Sequence, residues 1–189
     1  MSLTVAIKVD VLDAWRTQAW EHAAKLAEAN KGRPEAADYA AARAANGDGN
    51  SGWISDGDEA HAAGALTEIA VAAHLGIPWN ATVHDWKTAS REVLAQPDAG
   101  SRVEVKRVTR LSHQWVLVDR HRIASAEHMD KVIVAAVLPD MSAKTVWLRG
   151  WITVADALMK HERTPFSGRG GFRVSHLHDM STIPNRSLL

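Results

Sequence analysis

The run Lys131-Val132-Ile133-Val134-Ala135-Ala136-Val137-Leu138 constrains the fold more than any other part of this 189-residue chain. After its leading lysine it is wholly apolar, with no polar residue on alternate positions. A strand with one wet face alternates, so an unbroken run like this one needs cover on both faces. Its valines and isoleucine favour a strand over a helical turn. The chain therefore has to build a sheet with packed layers on either side, an α/β domain. The 46% of hydrophobic residues supplies enough material for such a core. Pro139-Asp140-Met141-Ser142 follows as a turn, with Lys144 to Leu148 as a strand that returns beside the first.

Around this strand the other elements fall into an order. Residues 10–30 read as a helix with Trp15, Ala19, Trp20 and Leu26 on one face. The Ala-rich stretch 34–45 follows a proline suited to a first helical turn. Asn46-Gly47-Asp48-Gly49-Asn50-Ser51-Gly52 has loop chemistry and is the clearest break in the chain. The division expected from it is an N-terminal helical extension, 1–50, and a core domain, 51–189. The core opens on a helix over about 56–75, capped by Ser55 or Asp56, with Asp58 and Glu59 near its positive end. Leu66, Ile69, Ala70, Ala73 and Leu75 make its buried stripe, and Gly76 and Pro78 end it. Next come a strand candidate at 93–95, a turn at Pro97-Asp98-Ala99-Gly100, and strands over 102–108 and 115–119. A short helix over 122–129 precedes the central strand. Thr153 caps a helix reaching residue 160, with Asp156 completing the cap. A glycine loop, 168–171, and a last strand, 172–174, close the list. The expected architecture is a mixed central β-sheet flanked by helices.

Several function classes are excluded or made improbable by composition. With no cysteines there is no disulfide scaffold, thiolate zinc site or cysteine nucleophile. That suits a reducing cytoplasm. No apolar run approaches the roughly 20 residues of a membrane span, and Met1 to Val5 does not open a secretory leader. Formal net charge is zero, but it is unevenly spread: residues 1–60 are net −4 and residues 61–189 net +4. Arg102, Lys106, Arg107, Arg110, Arg120 and Arg122 lie within one short stretch that holds only Glu104 and Asp119 as acids. A local basic patch on a neutral body suits an enzyme that touches phosphates in one place; a solvated face is the alternative.

The chemistry concentrates at Pro97-Asp98 and Glu104-Val105-Lys106. On a strand, Glu104 and Lys106 share one face while Val103 and Val105 take the other, toward the core. A short hairpin across Ala99-Gly100-Ser101 would return the Asp98 carboxylate to Glu104. Together with the Val105 carbonyl, the two carboxylates would offer hard oxygen donors to Mg2+ or Mn2+. Lys106 would orient the attacking water and stabilise charge growing on a phosphoryl group. Glu104 and Lys106 could also be a simple exposed ion pair, worth about 0–1 kcal/mol.

These elements resemble the signature of the PD-(D/E)xK nuclease superfamily, which includes restriction endonucleases, junction resolvases and phage exonucleases. The resemblance covers roughly residues 56–160. Gly64 to Gly76 is similar to the family's first core helix, and this implies Glu68 as a further member of the metal site. Trp147-Leu148-Arg149-Gly150-Trp151-Ile152 is similar to a closing segment of phage-encoded members. The resemblance implies a restriction-endonuclease-like fold and a Mg2+- or Mn2+-dependent endonuclease or exonuclease. Its partner would be DNA, met in the cytoplasm (the host's, if the chain is phage-encoded), with no membrane involved. Arg102, Arg107, Arg110 and Gln114 are the candidate nucleic-acid contacts. The narrow basic patch leaves room for action on a specific structure, as a homodimer, or with affinity borrowed from a partner. The competing reading is a catalytically inactive nuclease fold that binds DNA or protein. His176-Leu177-His178 lacks a third zinc ligand at suitable spacing, and Trp115 reads as packing rather than as a base-stacking platform.

Overall fold

The central run forms a strand whose residues are buried without exception, from Lys131 through Leu138. The structure is a computed structural model and describes residues 6–29, 57–83, 96–124, 128–165 and 170–184. In chain order these residues form β1 (Ile7–Asp10), α1 (Asp13–Ala29), α2 (Gly57–Leu75), β2 (Val103–Val108), β3 (Trp115–Leu117) and α3 (Arg120–Ile123). They continue with β4 (Val132–Val137), β5 (Thr145–Thr153), α4 (Val154–Met159), β6 (Glu162–Arg163) and β7 (Gly170–Arg173). Two 3-10 turns follow, at Val174–His176 and Met180–Thr182. The candidate helix at 34–45, the break at 46–52, the caps Ser55 and Asp56, and the strand candidate at 93–95 lie outside the described residues.

Two sheets organise the molecule. The larger runs β1-β5-β4-β2 and is mixed: β2 lies parallel to β4, and the other pairs are antiparallel. The smaller runs β3-β7-β6 and is antiparallel. The chain is thus mixed α/β with a mixed sheet, as expected. Period-two alternation splits β4 between two cores. Val132, Val134 and Ala136 face α1 and α2, whereas Ile133, Ala135 and Val137 face the second sheet and α4. Both faces are covered, which is why the strand needs no polar position.

The described part of the expected N-terminal extension belongs to this packed body. β1 extends the larger sheet beyond β5, with Ile7 opposite Leu148 and Asp10 opposite Thr145. Ala19 and Ala23 of α1 are fully buried in the core shared with α2. Arg16 adds long-range bonds, donating to the carbonyls of Met141 (2.9 Å) and Ala143 (2.8 Å). Trp20, expected on the buried face, is instead exposed.

α2 is covered on several sides. Ala62, Ala63, Ala65, Leu66, Ile69, Ala70, Val71, Ala72 and Leu75 are buried, a wider surface than the stripe expected, and Ala73 of that stripe is exposed. Small residues let α1 and β-strands approach it closely. The one buried hydroxyl on it, Thr67, donates back to the Ala63 carbonyl at 2.7 Å. Its C-terminus is a Schellman closure. Gly76 takes φ +69°, its N–H bonds to Ala73, and that of Ile77 bonds to Ala72. Among the described residues no helix is long and apolar enough to cross a membrane.

β5 outruns the strand expected at 144–148 and contains a bulge where pairing shifts between Ala135 and Ala136. Gly150 lies there with φ +144°, and a Cβ would meet the His178 carbonyl and the Leu177 side chain. Thr153 caps α4 as anticipated: its Oγ1 accepts from the Asp156 N–H at 3.0 Å and donates to the Asp156 carboxylate at 2.8 Å. The short helix expected at 122–129 starts earlier, as the single turn α3, and Met129 and Asp130 are turn residues. Gly170 and Gly171, expected in a loop, form the start of β7.

Candidate active site

The turn between Pro97 and Val103 sets the geometry of the site. Ala99 and Val103 exchange two backbone hydrogen bonds, at 3.1 and 3.2 Å, and Gly100 turns the chain between them with φ +56°. Only a residue tolerant of the left-handed region fits there without strain. Along β2, the carbonyls of Arg102 and Val108 face β4, bonding to Val132 and Leu138. Alternation then points the peptide groups of Val103, Val105 and Arg107 to the open edge of the sheet. At that edge Asp98 Oδ2 accepts the Val105 N–H at 2.6 Å. The Val105 carbonyl faces the same edge.

Glu104 projects to the other face from Val103 and Val105, as alternation requires, but it is not on a wet surface. It is 1% exposed. Its carboxylate has a cation at each oxygen: Lys106 Nζ lies 3.3 Å from Oε2, and Lys131 Nζ lies 3.2 Å from Oε1. His128 Nε2 is 3.6 Å from Oε1. This rules out the exposed-pair alternative for Glu104. Lys131 and His128 are themselves 4% and 3% exposed. Lys106 is only partly buried, so one end of this charged group opens toward solvent.

Glu68 enters from α2. Trp79 Nε1 donates to its Oε2 at 3.0 Å. Burial, first, and then the nearby Asp98 charge push the Glu68 carboxyl up to about 7 from its ordinary 4.5; Glu104 adds to the rise, while Trp79 and Lys106 oppose it. Glu68 therefore lies within electrostatic reach of the other three residues expected at the centre, Asp98, Glu104 and Lys106. Among the described residues no three or more His, Asp and Glu side chains form a ready-made ion cage. The donors are nevertheless carboxylate and carbonyl oxygens, the set that suits a hard divalent cation. The repulsion that raises Glu68 is also of the kind a bound cation relieves.

A pH signature follows from Glu68. A carboxyl raised in the folded state binds a proton that the unfolded chain releases near pH 4.5. Its contribution to stability is full below pH 4.5 and is lost as pH rises through about 7. Glu68→Gln cannot titrate, so without cations it should gain on wild type between pH 5 and pH 8, by roughly 2–3 kcal/mol. Paired urea unfolding in EDTA at the two pH values measures this. A constant difference between the two proteins would remove the raised carboxyl.

The other candidates are more dispersed. Arg102 Nε donates to the Asp130 carbonyl at 2.7 Å and lies 3.4 Å from that residue's carboxylate, holding the approach to β4. Arg107 donates to the carbonyls of Leu138 (2.9 Å) and Pro139 (2.7 Å). Alternation puts it on the face of Val103 and Val105, away from Glu104 and Lys106. Both guanidiniums bond to strand-end backbone carbonyls. Arg110 and Gln114 are exposed in the β2–β3 loop, and Gln114 Nε2 donates to the Ser112 carbonyl at 3.2 Å. Burial and the charges of Arg110 and Arg149 depress the His113 imidazole, which marks this loop as electropositive. Trp115 is partly buried with Arg173 4.7 Å from its ring, in keeping with packing. His178 stacks on Trp151 at 4.9 Å, and its backbone pairs with the same residue.

Three residues of this neighbourhood were not singled out from sequence: Lys131, His128 and Trp79. Lys131 left a trace, as the one charge at the head of a strand otherwise fully apolar. His128 and Trp79 left none, because their roles depend on which turn comes to lie beside which strand. Comparison of the chain with protein-family models, with curated proteins and with solved structures found no match.

Proposed function

We propose that the chain is a Mg2+- or Mn2+-dependent nuclease of the PD-(D/E)xK type, with a restriction-endonuclease-like core, hydrolysing phosphodiester bonds in DNA. One observation carries the reading. Asp98 is returned by a tight turn onto the Val105 N–H, beside the strand that presents Glu104 and Lys106, with Glu68 close enough to feel all three charges. Three acids and a lysine brought near the edge strand β2 from α2, the 97–100 turn and β2 itself match what phosphodiester hydrolysis needs.

Asp98, Glu104, Glu68 and the Val105 carbonyl would hold the cation. When bound, it would supply Lewis-acid polarisation of the phosphoryl oxygen and increased acidity of the attacking water. The protein's own part is positioning and charge. Lys106 is held by Glu104 Oε2 at 3.3 Å, so its ammonium is anchored yet still partly open to solvent. There it donates hydrogen bonds that orient the water and stabilise the negative charge growing on the phosphoryl oxygens. Lys131 lies 3.2 Å from the other oxygen of Glu104 and compensates its charge from that side. Arg102, Arg107, Arg110 and Gln114 are the groups offered to the DNA backbone, Arg110 and Gln114 from the exposed β2–β3 loop.

The double pairing of Glu104 favours a second reading, an inactive nuclease fold that binds DNA or protein, since a carboxylate between two lysines is also a self-sufficient structural pair. Incubation with supercoiled, linear and single-stranded DNA, in Mg2+, in Mn2+ and in EDTA, separates the two. The nuclease cuts at least one substrate, only with the cation. Absence of cutting on every substrate, with Mg2+ still raising the melting temperature, supports the binding module. Absence of both effects removes the cation site altogether.

A further inference from the structure

Residues 78–80 form a strap across the turn that carries Asp98. The Gly100 N–H donates to the Pro78 carbonyl at 2.8 Å, and the Asn80 N–H donates to the Asp98 carbonyl at 3.1 Å. The Asn80 side-chain amide adds bonds to the carbonyls of Pro97 (2.9 Å) and Gly100 (2.7 Å). Trp79 pairs with Ala99 through its backbone. From the middle of this strap the Trp79 indole N–H reaches Glu68 Oε2 at 3.0 Å. His22 of α1 packs edge-on against the same indole, 5.1 Å between centroids and 67° between planes. The strap thus ties together two carboxylate carriers on different elements, α2 and the 97–100 turn, and α1 backs it from behind.

We propose that Trp79 is a positioning residue for the divalent-cation site, acting through Glu68; this rests on the cation-dependent reading above. The indole is a donor only, so it fixes one oxygen of the Glu68 carboxylate and the plane of the group. Without that bond, Glu68 can turn away from the repulsion of Asp98 and Glu104, and the donors lose their mutual arrangement. Groups that orient a metal ligand in this way commonly change cation affinity about 10- to 100-fold when removed. Because the same strap holds the Asp98 turn, the spacing between Glu68 and Asp98 is set by one short segment rather than by two independent ones.

The test is Mn2+ binding to the full chain by titration calorimetry, in four proteins: wild type, Trp79→Phe, Glu68→Ala and the double variant. Phenylalanine keeps an aromatic ring but lacks the N–H and is smaller than the indole, so the Glu68→Ala background separates the lost hydrogen bond from the lost packing. Trp79→Phe should weaken Mn2+ binding about tenfold or more, and should change nothing further in the Glu68→Ala background. A general packing role would weaken both backgrounds alike, which overturns the proposal, as does a Trp79→Phe protein that binds Mn2+ like wild type. A second measurement needs no variant. In the wild type the Trp79 indole N–H resonance should shift along a Mg2+ titration, with the midpoint of binding. A resonance that stays fixed while the ion binds refutes the role. A wild type that binds no Mn2+ removes the cation site itself, and this role with it, and is distinguished from the other outcomes by that fact.

Discussion

Lys106→Ala is expected to lower cation-dependent cleavage about 10²- to 10³-fold, the usual loss when one preorganised stabiliser of a charged transition state is removed. The loss should fall on kcat, with KM for DNA little changed, because the ammonium meets charge that exists only as the phosphoryl group reacts. Folding should survive. Lys106 is partly exposed, and Glu104 keeps Lys131 at 3.2 Å when Lys106 is truncated. Lys106→Arg should not restore the rate. A planar guanidinium delivers its charge in a different place from a compact ammonium. Single-turnover cleavage by the three proteins, with melting curves on the same samples, makes the measurement. If Lys106→Ala cuts as fast as wild type, the assignment of Lys106 to the chemistry is wrong, and the basic β2–β3 loop becomes the place to look for the missing charge.

Local patterns and distant pairings were not equally legible in the sequence. Thr153 with Asp156, Gly76 after α2 and the alternation of Val103 and Val105 act over a few residues, and each has the structure its chemistry dictates. The Asp98 turn belongs with them, since a glycine in the left-handed region and a short reach back to Val105 are local matters. β1 was not legible. Ile7 to Asp10 is four residues long and its partner β5 lies near the other end of the chain, so no window of sequence contains the pair. Gly170 and Gly171 were misread for a related reason. They look like a loop, yet they are glycine because a Cβ on Gly170 would meet the His161 ring and one on Gly171 would meet the Val116 backbone. The same logic hid half of the site. Sequence spacing singles out Asp98, Glu104 and Lys106 as candidates, whereas Lys131 becomes a partner of Glu104 only once β2 and β4 lie parallel with Glu104 opposite Ile133.

That parallel pairing leads to the largest expected change in stability. Glu104→Gln should cost about 3–5 kcal/mol, the range for breaking a buried ion pair by removing one partner. The glutamine has nearly the same volume, so a cavity is not the cause. Lys131 is 4% exposed and bonds to Glu104 at 3.2 Å, with His128 also against that carboxylate. Neutralising Glu104 leaves the Lys131 ammonium in the interior without the anion that compensates it. Lys131→Met should cost less, because Glu104 keeps Lys106 and the methionine side chain fills much of the buried space of the lysine stem. The combined variant, Glu104→Gln with Lys131→Met, should recover much of the single Glu104→Gln loss, since it removes the stranded charge along with its partner. Urea unfolding of wild type and the three variants at pH 7 in EDTA tests the set. Additive losses would mean that Lys131 and Glu104 are not coupled. A recovered double variant would show that Glu104 has a structural duty apart from any cation, so that lost cleavage in Glu104→Gln alone could come from either. Cleavage by the stabilised double variant then separates them: a folded protein that still cannot cut has lost a ligand, not its fold.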